Sequence, residues 1–439
     1  MTQAPAKYER YQSQFDGIVD ESSPKWLDGI RQQGMNDFSA LGFPTARRGN
    51  ENWKYTNINR IANADFGIAP ISEVTLDQLK ESAPWNDDWT TLVFVNGRYS
   101  AELSSSSENG SVTVGNIAEL SRQNGKGIEA HLSSLANTDE DGFTALNTAF
   151  VSDGAFVQVA EGASVETPLH LLFVSTESDT PFITHPRVLV VAGKDSDSTI
   201  IESYVSVGGG NYFSNAVAEI ILEAGAQVDH YRLLNESDEA FHVGVVRVSQ
   251  GDGSIFSSAA FYNNVRLGRH DLLITIGDGC ETNLGGLYMT TGRQHVDNFI
   301  NLDHIKPNST SRLFYKGILA DRSRAVFGGT VYVRKGAIKT DSLQSDKNLL
   351  LSPDAEIDSK PALFIWADDV KCGHGATAGN IDKETLFYMR SRGIELEEAS
   401  RLLIYGFAAE IIQTVKVQAL SDHLEKIFLD ALPRYSFEF

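Results

Sequence analysis

From about residue 150 to 375 the chain runs as short Val/Ile/Leu/Phe-rich segments broken by Gly, Asn, Asp and Ser, with no convincing helical periodicity. A glycine followed by a small residue recurs at Gly154-Ala155, Gly162-Ala163, Gly225-Ala226, Gly253-Ser254, Gly279-Cys280, Gly336-Ala337 and Gly375-Ala376. The steps from 225 to 253 and from 253 to 279 are 28 and 26 residues, and later ones are irregular. A turn returning at such intervals is what a parallel β-helix needs, because every coil lays its strands on those of the coil before and buries an inward apolar row. Ala218, Ile220 and Leu222, with Val243, Val245 and Val248, are candidates for that row. A β-sandwich also uses short strands and turns, but so long a run without an interposed helix favours the stacked form. Open ends of a stack template further pairing and must be capped. The expected fold is mainly β: a right-handed parallel β-helix flanked by N-terminal and C-terminal helical segments.

The flanks carry the caps. Tyr8, Tyr11, Phe15 and Ile18 recur at helical spacing, and Ser23-Pro24 reads as an N-cap followed by a first-turn proline. Leu41 to Thr45 and Asn52 to Thr56 are irregular and aromatic, the pattern of a packed loop. Thr91 to Tyr99 alternates and turns at Asn96-Gly97, a type I′ hairpin signal, and a polar loop follows from Ser104 to Gly110. Asn137 to Gly142 opens like a calcium loop, but Thr148 stands where the bidentate Glu belongs, which favours a solvated turn.

After Gly379, Asp382 is placed to cap a helix over Lys383 to Arg392 that stops at Gly393. A second helix begins near Glu395 with Ala399, Leu403, Phe407, Ile411 and Val415 at four-residue spacing, and a third covers Leu420 to Leu432. These helices cannot bury all their apolar residues on one another, which predicts an exposed groove for a partner. The expected division is a mostly helical domain with a small hairpin over 1–150, the β-helix over 151–378 and a helical domain over 379–439.

With 37 Lys plus Arg against 58 Asp plus Glu, a net charge of -21 argues against nucleic acid and anionic membrane as partners. Two cysteines in so long a chain point to free thiols in a reducing compartment; a polar start and no long apolar run complete the expectation of a cytoplasmic protein. There is no G-x-x-x-x-G-K-[ST], so ATP is not hydrolysed here by a P-loop. G-x-S-x-G, H-E-x-x-H and C-x-x-C are missing too. A β-helix enzyme acting on polysaccharide stays as an alternative, and would need an acidic cluster in a long exposed groove.

The stretch Ala367 to Gly379, ADDVKCGHGATAG, holds the sharpest chemistry. If it is extended, the two-residue period turns Cys372 and His374 to one face, so that thiolate and imidazole, donors for zinc or iron, point the same way. Gly373 and Gly375 leave room for another backbone. Two donors do not close a tetrahedral site, and a buried Cys beside a hydrogen-bonded His is the alternative reading. Asp368 and Asp369 could orient the imidazole or attract iron, or simply end a strand in solvent. Cys280 has no donor two or three residues on and reads as inert.

Ala367 to Phe407, ADDVKCGHGATAGNIDKETLFYMRSRGIELEEASRLLIYGF, resembles the C-terminal signature of the SufB/SufD family of the SUF iron–sulfur cluster assembly machine. Ser342 to Ser352 and Pro44 to Thr56 extend the likeness over the whole chain. Cys372-Gly373-His374 is the SufD form, where SufB has Glu-His-Glu; Lys347 departs from a frequent Gln. The resemblance implies a parallel β-helix between helical ends. It implies a scaffold, not an enzyme, paired with SufB and docked by the ATPase SufC on its C-terminal helices, with Leu403, Phe407 and Ile411 as the docking residues. It further implies a transient iron–sulfur cluster at the SufB interface, with His374 as ligand, Cys372 as second candidate or neighbour, and a cysteine contributed by SufB. No cofactor is expected to stay on the isolated chain, which could form a homodimer. A stabiliser of SufB without its own ligand is the rival role.

Overall fold

The computed structural model describes residues 9–17, 23–46, 50–105 and 110–432. Tyr8, Ile18 and most of the polar loop before Gly110 lie outside them. The centre is a parallel β-solenoid of about eight turns. One sheet runs, from its C-terminal end inward, through Arg324–Val333, His295–His304, Leu267–Ile276, Phe241–Gln250, Tyr212–Leu222 and Arg187–Ala192. The other runs through Lys371–Gly379, Asp341–Leu350, Thr310–Leu319, Glu281–Thr290, Ile255–Asn264, Gln227–Asn235, Asp197–Val207 and Leu169–Thr176. We call these the first and second sheets. The chain alternates between them, so each coil stacks in register on its neighbours.

Register explains the inward row. Val190, Ile220, Val248, Ile274, Leu302 and Val331 are direct neighbours on successive strands, and all belong to the core inside the stack. Each fully buried aliphatic side chain is worth roughly 1.5–3 kcal/mol, so the ladder adds a contribution of that size at every coil. Ala218, Ile220, Leu222 and Val248 face in as expected, but Val243 and Val245 face out, beneath the N-terminal region. The parity of two puts Val246, not Val245, on the inner face.

The turn signal is one corner repeated. Gly162, Asp195, Gly225, Gly253, Gly279, Asn308, Lys339 and Asp369 all have positive φ. Their backbone N–H groups reach to the next coil: Gly253 donates to Asp278, Gly279 to Pro307, Asn308 to Ile338 and Lys339 to Asp369. Gly154 and Gly375 are not corners. Gly154 precedes a strand, and Gly375 lies within Lys371–Gly379.

The N-terminal region covers the outer face of the first sheet. Helix Lys25–Leu41 packs on helix Gly142–Ala149, with Pro24 rather than Ser23 at its N-cap; the Ser23 hydroxyl instead accepts from Arg31 at 2.9 Å. Asp141 caps the second helix by accepting the Thr144 N–H at 2.9 Å, the use to which the calcium-like stretch is put. The aromatic loop is packed: the Arg269 guanidinium lies 3.9 Å from the Trp53 ring and Thr56 donates to Asp297 at 2.5 Å. Asn96 and Gly97, at φ 48° and 79°, turn the hairpin. The deepest tie is Arg187 to Glu219 at 2.6 Å, both fully buried, where Glu219 also accepts from the backbone of Ser133, Leu135 and Ala136.

Helices Lys383–Ser391, Leu396–Ile412 and Gln418–Ala431 follow the solenoid. The last two lie on the outer face of the second sheet, where Ile404, Ala408, Ile411, Leu420, Leu424 and Phe428 meet a layer that includes Tyr231, Leu233, Phe261, Leu287 and Ile318. Lys316 fastens the longer helix, donating to the Phe407 carbonyl at 2.8 Å and pairing with Glu410.

Candidate functional site

Lys371–Gly379 is the last strand of the second sheet. It pairs in parallel with Asp341–Leu350 on one side, and no strand among the described residues pairs with its other edge. Cys372 sits opposite Ser342, His374 opposite Gln344 and Ala376 opposite Asp346. Those three partners are buried in the stack, so the pleat turns Cys372 and His374 toward its interior. Cys372 is half-buried against the solenoid core. His374 faces the same way yet is exposed, because no further coil covers it. The local sequence permits this approach from outside: a side chain added at Gly375 would meet nothing within 4 Å.

Burial pushes the Cys372 thiol above its ordinary range, Asp341 adds to this, and a backbone hydrogen bond from Ser342 works against it. A metal arriving at this sulfur must therefore displace a proton. Among the described residues no three His, Cys, Asp or Glu side chains converge into a metal site. By itself the pair supplies two donors of the four that a tetrahedral site needs. Asp369 has φ 54°, occupies the repeated corner and pairs with Lys339. Cys280 is buried, a free thiol that donates to the Gly251 carbonyl at 3.1 Å.

Two features escaped the sequence. Gln344 and Asp346 lie directly below the terminal strand, and burial raises the Asp346 carboxyl to about 6 against hydrogen bonds from Ser359, Asn348 and Tyr288. Their signal was alternation in Ser342-Leu343-Gln344-Ser345-Asp346, where the polar residues take the inward parity. The other is an aromatic row on the outer face of the first sheet's last coil, where Phe364 and Trp366 are 47% and 53% exposed and stack in nearly parallel planes with Tyr332.

The three expected docking residues all lie in or against the layer between the longer helix and the second sheet. Ile411 is 1% exposed, inside the layer between helix and sheet, while Leu403 and Phe407 are half-buried at its margin. The four-residue stripe drifts around a helix of 3.6 residues per turn, so its C-terminal end faces the sheet. The groove left open holds about 620 Å³; Leu402, Tyr405, Leu429 and Leu432 line it with Glu395, Glu397, Glu398 and Glu425. Phe387, Tyr388 and Leu402 are the large exposed apolar side chains of these helices.

The family model of the SufBD core domain, SUF system FeS cluster assembly, matches residues 173–407, and that of the SufBD N-terminal region matches 2–171. The chain belongs to the SufBD family. This SufBD-family chain is 32% identical to an iron–sulfur cluster assembly SufBD family protein of Synechocystis, over 90% of its own length and 89% of the relative. It is 30% identical to iron–sulfur cluster assembly protein SufD of Escherichia coli, over 90% of each. To SufD of Bacillus subtilis it is 28% identical, over 92% of this chain and 93% of the relative. The matched core ends inside helix Leu396–Ile412 and so contains the terminal strand and its Cys-Gly-His triplet. No helix of the described residues is long and apolar enough to cross a membrane.

Proposed function

We propose that this SufBD-family chain is a scaffold subunit that contributes a ligand to an iron–sulfur cluster assembled against a SufB-type partner. The observation that carries the reading is the inward Cys372–His374 pair on a terminal strand whose outer edge has no strand beside it. A strand added there would gain main-chain hydrogen bonds, cover the exposed imidazole and bring the missing donors. Iron and sulfide are the substrates of this site. His374 offers an imidazole nitrogen, while the Cys372 thiol, pushed up by burial, must first lose its proton.

The test is anaerobic reconstitution of the chain coexpressed with SufB-type and SufC-type partners, supplied with ferrous iron and sulfide. The whole complex should gain visible charge-transfer absorption that neither this chain alone nor the complex lacking it gains. If the complex without this chain loads equally, the scaffold reading fails.

For the ATPase we place docking on the open groove and on Phe387 and Tyr388, instead of on Ile411. Leu402→Asp should remove copurification with a SufC-type ATPase and leave the far-ultraviolet circular dichroism unchanged. Retained capture would rule out this surface. Ile411→Asp is the wrong probe, because an aspartate inside that layer unseats the helix.

A further inference from the structure

Where the N-terminal region meets the first coils of the solenoid, segments far apart in the chain close around a small crevice. Strand Gly67–Ile68 pairs in parallel with Phe182–Thr184, the hairpin tip at Gly97 lies against Thr184, and the residues after helix Gly142–Ala149 complete the wall. The tip is fixed. Asn96 donates to the Pro70 carbonyl at 3.0 Å and to Thr176 Oγ1 at 2.9 Å and accepts the Thr176 N–H at 3.0 Å, while Gly97 takes the left-handed turn, at φ 79°, that brings Arg98 to the crevice.

His185 forms another part of the wall. Its ring stacks on Phe150 with centroids 4.9 Å apart and planes 17° from parallel, and Nδ1 lies 3.5 Å from the Asn215 side-chain nitrogen, which also donates to the Phe143 carbonyl at 2.9 Å. A donor facing Nδ1 places the ring hydrogen on Nε2. Burial lowers this imidazole to about 3, so at neutral pH the ring is uncharged and Nε2–H is a donor held in one place. That nitrogen is buried, with no protein partner among the described residues.

The other lining groups share its character. Arg98 gives one N–H to the Pro70 carbonyl at 3.2 Å, and a guanidinium has five. Ser152 and Thr184 carry hydroxyls, and Phe150 and Ile183 are apolar. In a chain of net charge -21, no carboxylate lines this crevice. A cation would find no counter-charge there, whereas an oxyanion meets a guanidinium and neutral donors, the combination that gives short and strong hydrogen bonds. Size sets the limit. The space is about 110 Å³, and at about 30 Å³ for each water in the liquid it takes an ion of about four or five heavy atoms and nothing as large as a nucleotide.

We propose that this crevice binds a small oxyanion, a phosphate or a short carboxylate, through the Arg98 guanidinium, the Ser152 hydroxyl and the His185 Nε2–H. The site lies at the opposite end of the solenoid from Lys371–Gly379 and stands whether or not a cluster forms there.

The test uses the full chain in an oxyanion-free chloride buffer, titrated in turn with inorganic phosphate and with acetate by calorimetry. One ion should bind per chain at millimolar concentration. Phosphate binding without acetate assigns a tetrahedral guest, and the reverse assigns a carboxylate. In nitrogen-15 spectra of histidine-labelled chain, the His185 Nε2–H resonance should move along the same titration. Arg98→Met keeps the apolar stem and His185→Phe keeps the stack on Phe150, and each should weaken binding about tenfold or more. Arg98 is exposed, so its variant should melt at the parent's Tm and decides the matter even if His185→Phe disturbs the wall. Failure of both ions to bind, binding that leaves the His185 resonance unmoved, or an Arg98→Met chain that binds as tightly as the parent overturns the proposal.

Discussion

His374→Ala should leave the SUF-type complex assembled and cut cluster formation roughly tenfold or more, since loss of even an indirect support of a metal ligand costs 10–100-fold. The imidazole is exposed on the isolated chain and fills no core space, so truncation should cost this chain less than about 0.5 kcal/mol of stability. That separation makes the result decisive. The complex would be isolated from cells expressing all subunits, its stoichiometry measured by native mass spectrometry, and its visible absorption followed after anaerobic addition of iron and sulfide. An intact complex that forms no cluster identifies a ligand. Undiminished formation would reduce the chain to a stabiliser of its partner. Cys372→Ser run in parallel shows whether the half-buried thiol is a second donor or a packed neighbour of the first.

A second large effect is expected far from the site. Glu219→Leu should destabilise the chain by roughly 3–5 kcal/mol, the usual result of removing one member of a buried ion pair. Arg187 would keep its contacts to Asn147, Thr148 and Ser133 but lose the only carboxylate beside it among the described residues. The N–H groups of Ser133, Leu135 and Ala136 would lose their acceptor at the same time. These three belong to the N-terminal region and Glu219 to the first sheet, so the damage falls on the seam between them. Urea unfolding should show a lower midpoint, with an early phase if that region separates before the solenoid melts. A midpoint equal to the parent's would mean that the apolar contacts of the seam suffice without the pair.

How much of this was legible in the sequence depends on the physical source of each signal. The solenoid was readable because its corner repeats and its strands lack helical periodicity. The count of coils was not, since Asp195, Asn308, Lys339 and Asp369 hold the same left-handed corner that glycine holds elsewhere. Asn and Asp tolerate that conformation, which makes the corner invisible to a search for glycine. Val243 and Val245 show a second limit. Strands covered on both faces are apolar at both parities, so alternation no longer says which way a valine points. The Cys372–His374 parity survived because a two-residue period needs only that the segment be extended. The burial of Ile411 was not legible, since the layer against the second sheet joins it to residues about 180 positions away, such as Tyr231. Asp346 escaped because a carboxylate in a strand reads as solvent-facing until its neighbours are known.

The terminal coil has a neighbour on one side only. In a one-dimensional stack, stability is shared between adjacent units, so this coil is held by about half the contacts of those in the middle. Its backbone should therefore open more readily than the body it ends, and the arrival of another chain would supply the half that is lacking. Assembly at this end and the final step of local folding become a single event, in which the strand that carries Cys372 and His374 is rigid only while it is shared.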